Sequence, residues 1–296
     1  MDSRTFEHKG VRGMIIGTIV NASGLPAAML MAHSVKMQMP DTRVVVCLVE
    51  EKINTDQHHP GVDRIITAKA LSRCIGFQDY VSYIMKFNPL QYAAAMKGQL
   101  LKYLLEAYPE EHHIVYLDPE MYVMGPLTEL EQMLHHYDVV LTPHHLEPSE
   151  PWDCSREIGT LQDGTFHGGL VAIRNTWEGT NFANWWLTII AGEFEGQPKG
   201  IFRDQPYLNF APAFFNTGIL RHPGYNLAFW NLHESHRWIY RENGEYRLMG
   251  EVPVRCINFS NFLGLLDYCL KTYVPDNTEY ASLWNGYKGW LSSNCY

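Results

Sequence analysis

The chain has no apolar run approaching 18 residues, no Cys-x-x-Cys pair, no Gly-x-Gly-x-x-Gly fingerprint and no Gly-x-x-x-x-Gly-Lys-Ser/Thr loop. Each absence excludes a class. A membrane-crossing helix needs about 20 consecutive apolar residues. The apolar stretch Met14 to Val20 is too short for that, and the polar, charged start from Met1 to Gly13 lacks a signal peptide's layout. The expectation is a cytoplasmic protein without integral membrane contact. The six cysteines (Cys47, Cys74, Cys154, Cys256, Cys269 and Cys295) are scattered, and Cys47 lies inside an apolar run. That usage predicts reduced thiols in an intracellular compartment. The missing glycine fingerprints remove the dinucleotide and P-loop readings. A net charge of -9 argues against a nucleic-acid partner, though it leaves room for a local basic pocket. No internal repeat is visible.

What is present is a large apolar fraction, 46%, in 296 residues, enough for one sizeable core. Met14 to Val20 reads as a buried strand, Asn21 to Pro26 as a turn, Ala27 to Gln38 as a helix and Arg43 to Val49 as a second strand. Strand, turn, helix, strand opens a parallel α/β unit. Asp63 to Thr67 reads as a weaker strand. Leu90 to Ala107 has the three-to-four spacing of a helix, closed by Pro109. A strand at Ile114–Leu117, a helix over Leu127–His136 and a strand at Asp138–Thr142 follow. His144 to Thr165 is polar and proline-bearing and predicts a long surface loop. Gly169–Ile173 reads as a strand and Thr180–Ala191 as a tryptophan-rich helix. From Phe202 onward proline, glycine and aromatics are frequent. The expected build is one domain over 1–296, with a nucleotide-binding half over 14–142 and an acceptor-side half with a C-terminal tail over 143–296. Asn21, Glu50 and Asp118 fall at the carboxyl ends of strands, where open parallel sheets bind ligands.

The sharpest local signal is Ile114-Val-Tyr-Leu-Asp-Pro-Glu-Met-Tyr-Val-Met-Gly-Pro-Leu127. A hydrophobic strand ends on two carboxylates, Asp118 and Glu120. In a continuing strand residues i and i+2 point the same way, so both acids would reach one cation unless Pro119 bends the chain. Mg²⁺ and Mn²⁺ prefer oxygen ligands and keep phosphates and water in their shell. The competing reading is a pair of solvated turn acids.

Tyr116-Leu-Asp-Pro-Glu-Met-Tyr-Val-Met-Gly-Pro-Leu127 resembles the metal motif of glycosyltransferases with the GT-A fold, in the group of glycogenin and the lipopolysaccharide galactosyltransferases. The usual motif is Asp-x-Asp; here the second acid is Glu120. Further segments resemble the group in order. Thr18-Ile-Val-Asn-Ala-Ser23 is similar to the strand and turn that hold base and ribose, which implies donor contacts from Thr18, Val20 and Asn21. Ala95-Met-Lys97 occupies the place of a basic residue facing the donor. Phe166-His-Gly-Gly-Leu-Val-Ala-Ile173 resembles the Phe-Asn-x-Gly strand facing the transferred sugar, with His167 in place of Asn. Arg203-Asp-Gln-Pro-Tyr-Leu-Asn209 resembles the Asp-Gln segment, and His222 to His233, with Asn231, a late loop. The group's late metal-binding histidine falls at Asn258.

The resemblance implies an α/β GT-A fold and a Mn²⁺- or Mg²⁺-dependent transferase. It would move a sugar from a nucleotide-diphosphate donor, with uridine the implied nucleoside, to a carbohydrate acceptor, with retention. It implies metal ligands at Asp118, Glu120 and Asn258. It implies donor contacts at Thr18, Val20, Asn21, Lys97, Asp118, Gly168, Gly169 and Asn231, and catalytic roles for Asp204, Gln205 and His167. From the residues alone, simpler roles stand beside these: Asn21 as a turn former, Lys97 as a solvated helix residue, Asp204 as a helix cap, and Trp185 and Trp186 as core. Gly168 and Gly169 would let the backbone come close to a sugar. The pairs His58–His59, His112–His113, His135–His136 and His144–His145 give no zinc pattern, and most of these residues are expected to be solvated. His233 and His236 stand three apart but need further ligands. The tail from Tyr280 to Tyr296 is expected either to fold over the donor site or to pack on the core. A nucleotidyltransferase, a nucleotide-sugar hydrolase and a non-catalytic carbohydrate-binding protein remain as alternative functions.

Overall fold

The computed structural model describes residues 13–50, 59–75, 91–149, 154–196 and 204–294. The polar start through residue 12, His58, Arg203 and Cys295 lie outside the described residues, as does the first residue of the helix expected from Leu90.

The strands that position the site are β1 (Met14–Val20), β2 (Arg43–Leu48), β3 (Arg64–Thr67), β4 (His113–Leu117), β5 (Met121–Val123), β6 (Val139–Pro143), β7 (Phe166–Arg174) and β8 (Thr217–Ile219). All of these except β5 form a seven-stranded central sheet in the order β3-β2-β1-β4-β7-β6-β8. β3, β2, β1 and β4 run parallel, β7 is antiparallel to both β4 and β6, and β6 pairs parallel with β8. The residues of β1 are all buried, as a parallel strand covered on both faces requires. Alternate side chains enter different cores. Ile15 and Ile19 pack with the helices Tyr92–Ala107 and Trp177–Gly196, whereas Met14 and Ile16 pack with Met31 and Val35 of the helix Leu25–Gln38.

Two features of this packing position the site. Gly98 brings the helix Tyr92–Ala107 against the helix Trp177–Gly196; a Cβ there would lie 2.6 Å from the Leu187 amide nitrogen. The preceding Lys97 is thereby held in the interior at the carboxyl edge of the sheet. A second, two-stranded sheet pairs β5 with the strand Cys256–Asn258, setting Met121 opposite Asn258. It joins the residues just after the carboxylate pair to the late part of the chain.

The structure corrects three sequence readings and decides between the two outcomes expected for the tail. Asp118, Pro119 and Glu120 form a turn, closed by the Met121 amide donating to the Asp118 carbonyl at 3.0 Å, and not a continuing strand. The same-face argument for the two acids therefore fails, because proline has no amide with which to extend the ladder. The stretch expected as a loop contains a helix, Ser155–Asp163, which buries none of its side chains. His113 and His144 are buried, not solvated, since each adjoins or belongs to a buried strand. The tail packs on the core as the helix Thr278–Asn294, with Tyr280, Trp284 and Tyr287 buried.

Candidate active site

Lys97 is the hub of the site. Its side chain is only 7% exposed, and its Nζ lies 2.9 Å from Asp204 Oδ2 and 3.5 Å from Asp118 Oδ1. It also donates to the Gly168 carbonyl at 2.9 Å. Burial pulls the ammonium toward neutrality, but the two carboxylates outweigh that and raise its pKa above the ordinary lysine value. Lys97 is therefore a buried cation and not a solvated helix residue. It links the end of β4 to the segment after residue 203.

The two glycines of β7 serve this linkage. A Cβ on Gly169 would fall 2.0 Å from Asp118 Oδ2, and one on Gly168 would fall 2.9 Å from Asp204 Oδ2. The space they leave is filled by the protein's own carboxylates, where the sequence suggested room for a sugar. The Asp118 amide donates to the Gly169 carbonyl at 2.8 Å, fixing the turn against the strand. Asp204 is anchored through its carbonyl, which accepts from Trp186 Nε1 at 3.3 Å.

Among the described residues Glu120 makes no ion pair, and it sits beside this network. Burial first, then the Asp118 charge, push its carboxyl up to about 7. Two close carboxylates with one incompletely compensated are what a hard divalent cation relieves, and the donors are all oxygen, so the residues fit Mn²⁺ or Mg²⁺. Asn258 is buried next to them: Phe259 donates its amide to the Glu120 carbonyl at 2.9 Å, and Asn258 Oδ1 accepts from the Ser260 amide at 2.8 Å. An amide oxygen already engaged in this way is a weaker ligand than the histidine of the resembled group.

On the other side of Asp118 the site opens into a cavity of about 470 Å³ lined in part by His144, His167, Gln205 and Trp230. His167 Nε2 is 3.7 Å from Asp118 Oδ2, and its ring packs on Trp230 at 4.8 Å and His144 at 5.2 Å. Burial, the neighbouring His144 and the Lys97 charge hold His167 well below the usual histidine range, so it is neutral. Among the described residues, His167 Nδ1 and Trp230 Nε1 are buried without hydrogen-bond partners. The Gln205 amide is engaged at both ends: its Oε1 accepts from the Gly168 amide at 2.8 Å and its Nε2 donates to the Asp163 carbonyl at 3.3 Å.

The residues assigned to the nucleotide are placed differently. Thr18 and Val20 are buried within β1. Asn21 caps the 3-10 turn Ala22–Gly24, its Oδ1 accepting from the Gly24 amide at 2.9 Å. Glu50, at the end of β2, accepts from the Ala22 amide at 2.9 Å. Asn231 is buried, with its Oδ1 accepting from the Ala228 amide and its Nδ2 donating to the carbonyls of His144 and Asn226. It holds the loop that presents Trp230. The structure thus brings Lys97, Asp118, Glu120, His167, Gly168, Gly169, Asp204 and Gln205 together, with Asn258 beside Glu120. Sequence reasoning missed His144. The signal for His144 is its position directly after the apolar run of β6.

No known family's sequence profile matches the chain. A Bacillus subtilis (strain 168) protein, the uncharacterized YfnF, is 25% identical over 183 residues, covering 58% of this chain. The chain thus spans 57% of that relative's length. Among solved structures, the galactosyltransferase LgtC in complex with donor and acceptor sugar analogues is 15% identical and superimposes with a TM-score of 0.51. That match covers 95% of each chain. GlyE, a glycosyltransferase of Streptococcus pneumoniae TIGR4, matches 74% of this chain and 47% of its own at 14% identity, with a TM-score of 0.42. Taken with the seven-stranded mixed sheet, the likeness to LgtC shows that this chain has the GT-A fold of the glycosyltransferases.

Proposed function

We propose that the protein is a glycosyltransferase that moves a sugar from a nucleotide-diphosphate donor, with uridine as nucleoside, to a hydroxyl of a carbohydrate acceptor, with retention. The observation that carries this reading is the convergence of Lys97, Asp118 and Asp204 beside Glu120, at the carboxyl edge of the sheet, with His167 linking Asp118 to the cavity it lines. Residues 14–142 are read as the nucleotide half and 143–296 as the acceptor half.

A divalent cation held by Asp118 and Glu120 would neutralise the diphosphate leaving group. The chain's own residues supply the rest. Lys97 pairs with both Asp118 and Asp204 and so fixes one carboxylate relative to the other. Neutral His167, with a free Nδ1, presents a polar atom to a sugar hydroxyl. Trp230 offers an aromatic face for the apolar side of a ring. Retention is favoured by the state of Asp204. An inverting transfer needs a free carboxylate base, and Asp204 Oδ2 is paired with Lys97 at 2.9 Å. With that carboxylate oxygen occupied by Lys97, the departing phosphate is left to take the proton.

The test is a donor panel. Purified protein is incubated with nucleotide sugars and Mn²⁺, with and without a carbohydrate acceptor, and nucleotide release is followed before and after chelation. Release that depends on acceptor supports transfer. Equal release without acceptor makes the protein a hydrolase. No donor binding or turnover across the panel removes the enzyme reading.

A further inference from the structure

The far wall of the cavity carries a second group of ligand-bearing side chains, separate from Asp118 and Glu120. His145 follows β6, and His233 and Glu234 follow the 3-10 turn Phe229–Asn231. We propose that His145, His233 and Glu234 bind a transition-metal ion of the zinc class, with its fourth position open to the cavity.

Geometry is the first ground. One ligand atom from each residue lies within 4.8 Å of the others, and His145 Nδ1 is 3.7 Å from Glu234 Oε1. Bonds of about 2.0–2.2 Å in a tetrahedron place ligand atoms roughly 3.3–3.5 Å apart, so closure asks for small side-chain movements. The two imidazole rings stand 5.5 Å apart, centre to centre.

The second ground is what each ligand atom already does. His145 Nδ1 is buried and, among the described residues, has no partner within hydrogen-bond distance. Glu234 is held from behind: Arg237 Nη2 and Nε donate to its Oε2 at 2.7 Å and 3.0 Å, and the Leu146 amide donates to its Oε1 at 2.8 Å. Oxygen Oε1 keeps a lone pair toward His145. Such outer contacts orient a metal-binding carboxylate. The Arg156 guanidinium also acts on His233.

The third ground is chemical contrast. Two nitrogens and one oxygen suit zinc, whereas the all-oxygen pair at Asp118 and Glu120 suits Mg²⁺ or Mn²⁺. The charge balance is tolerable: Arg237 is already paired with Glu234, and the carboxylates of Glu147 and Glu157 act on Glu234 and His145 respectively. His145 and His233 line the same cavity as His167 and Gln205, so an ion there would face any molecule entering it.

The experiment is equilibrium dialysis of the full chain against Zn²⁺, with bound metal measured by mass spectrometry, and a parallel Co²⁺ titration read by visible absorption. The proposal expects one zinc equivalent in the native chain and in Asp118→Asn. It expects an affinity at least tenfold lower in His145→Ala and in His233→Ala, and a strong Co²⁺ band of low coordination number. Near-ultraviolet dichroism checks the variants' fold; where an alanine variant unfolds, His145→Gln or His233→Gln replaces it. Four results would each overturn the site: no stoichiometric zinc in the native chain, zinc lost in Asp118→Asn, less than tenfold weakening in either folded histidine variant, or the faint Co²⁺ spectrum of an octahedral oxygen shell. The outcome does not depend on whether the chain transfers sugars.

Discussion

Two polar clusters meet at the cavity, and they manage charge in opposite ways. Around Lys97 the groups are ionised and compensate one another, one ammonium between two carboxylates, with Glu120 left over. Around Trp230 the groups are imidazoles kept neutral by burial, with ring nitrogens lacking partners. The first arrangement is stiff and short of one positive charge, as a site for a cation and a diphosphate should be. The second is uncharged and unsatisfied, as a surface for hydroxyl groups should be. The chain places them in contact through one pair, His167 and Asp118.

The largest effect is expected from removing the hub of the charged cluster. Lys97→Ala leaves Asp118 and Asp204 without their shared cation, and breaking a buried pair costs about 3–5 kcal/mol. Urea denaturation should show that loss, with donor turnover gone. A loss under about 1 kcal/mol would mean the cluster is not the compensated unit described.

Next comes Gly169→Ala. The new methyl group meets Asp118 Oδ2 at 2.0 Å, so the turn must shift. Overpacking of this kind costs about 1–3 kcal/mol. A displacement of roughly 1 Å at the reacting centre costs about a hundredfold in rate. Metal-supported turnover should fall by that order while the chain stays folded.

The third prediction concerns pH. Glu120 has a folded pKa of about 7 against an ordinary 4.5. Between these values the folded chain holds a proton that the unfolded chain has released. Stability of the metal-free protein should therefore fall, through this group, as pH rises from 4.5 to 7. Glu120→Gln should remove that decline, and Mn²⁺ should raise the melting temperature more above the Glu120 pKa than below it. His144, pushed down to about 4, acts in the opposite sense: its contribution is present above pH 6.5 and is lost as pH falls toward 4. Its His144→Gln variant separates the two slopes in thermal melts.

The smallest effect tests the neutral cluster. Trp230→Leu should weaken acceptor binding by about 1 kcal/mol, the worth of an aromatic contact beyond its area. Acceptor KM would rise several-fold with donor KM unchanged. A change confined to donor KM would place the two clusters the wrong way round.

The parallel half of the fold is legible in the sequence because its strands are continuous apolar runs. The strand expected at Met14–Val20 is β1 itself, and those at Arg43 and Ile114 lie within a residue of β2 and β4. The ends of those runs alone locate Asn21, Glu50 and Asp118 at the carboxyl edge of the sheet. The helix Ser155–Asp163 is not legible, because it buries none of its side chains and leaves no apolar stripe facing a core. The pairing of β5 with Cys256–Asn258 joins three-residue strands from distant parts of the chain, which no local pattern announces. At the site, residue types are readable but contacts are not. The sequence suggests Lys97 and Asp204 on opposite sides of a ligand, and the fold puts them 2.9 Å apart. Asn21 admits two readings from sequence, and its capping of Ala22–Gly24 meets the turn-forming one.

The central claim is that Asp118 and Glu120 form the cation-dependent end of a sugar-transfer site. The most direct test is nucleotide release by Asp118→Asn beside the native chain, with Mn²⁺ present and then chelated, using a donor the native chain accepts. Chelator-sensitive release is expected in the native chain and none above background in Asp118→Asn, with both proteins melting cooperatively. Metal-supported release undiminished in Asp118→Asn would contradict the claim.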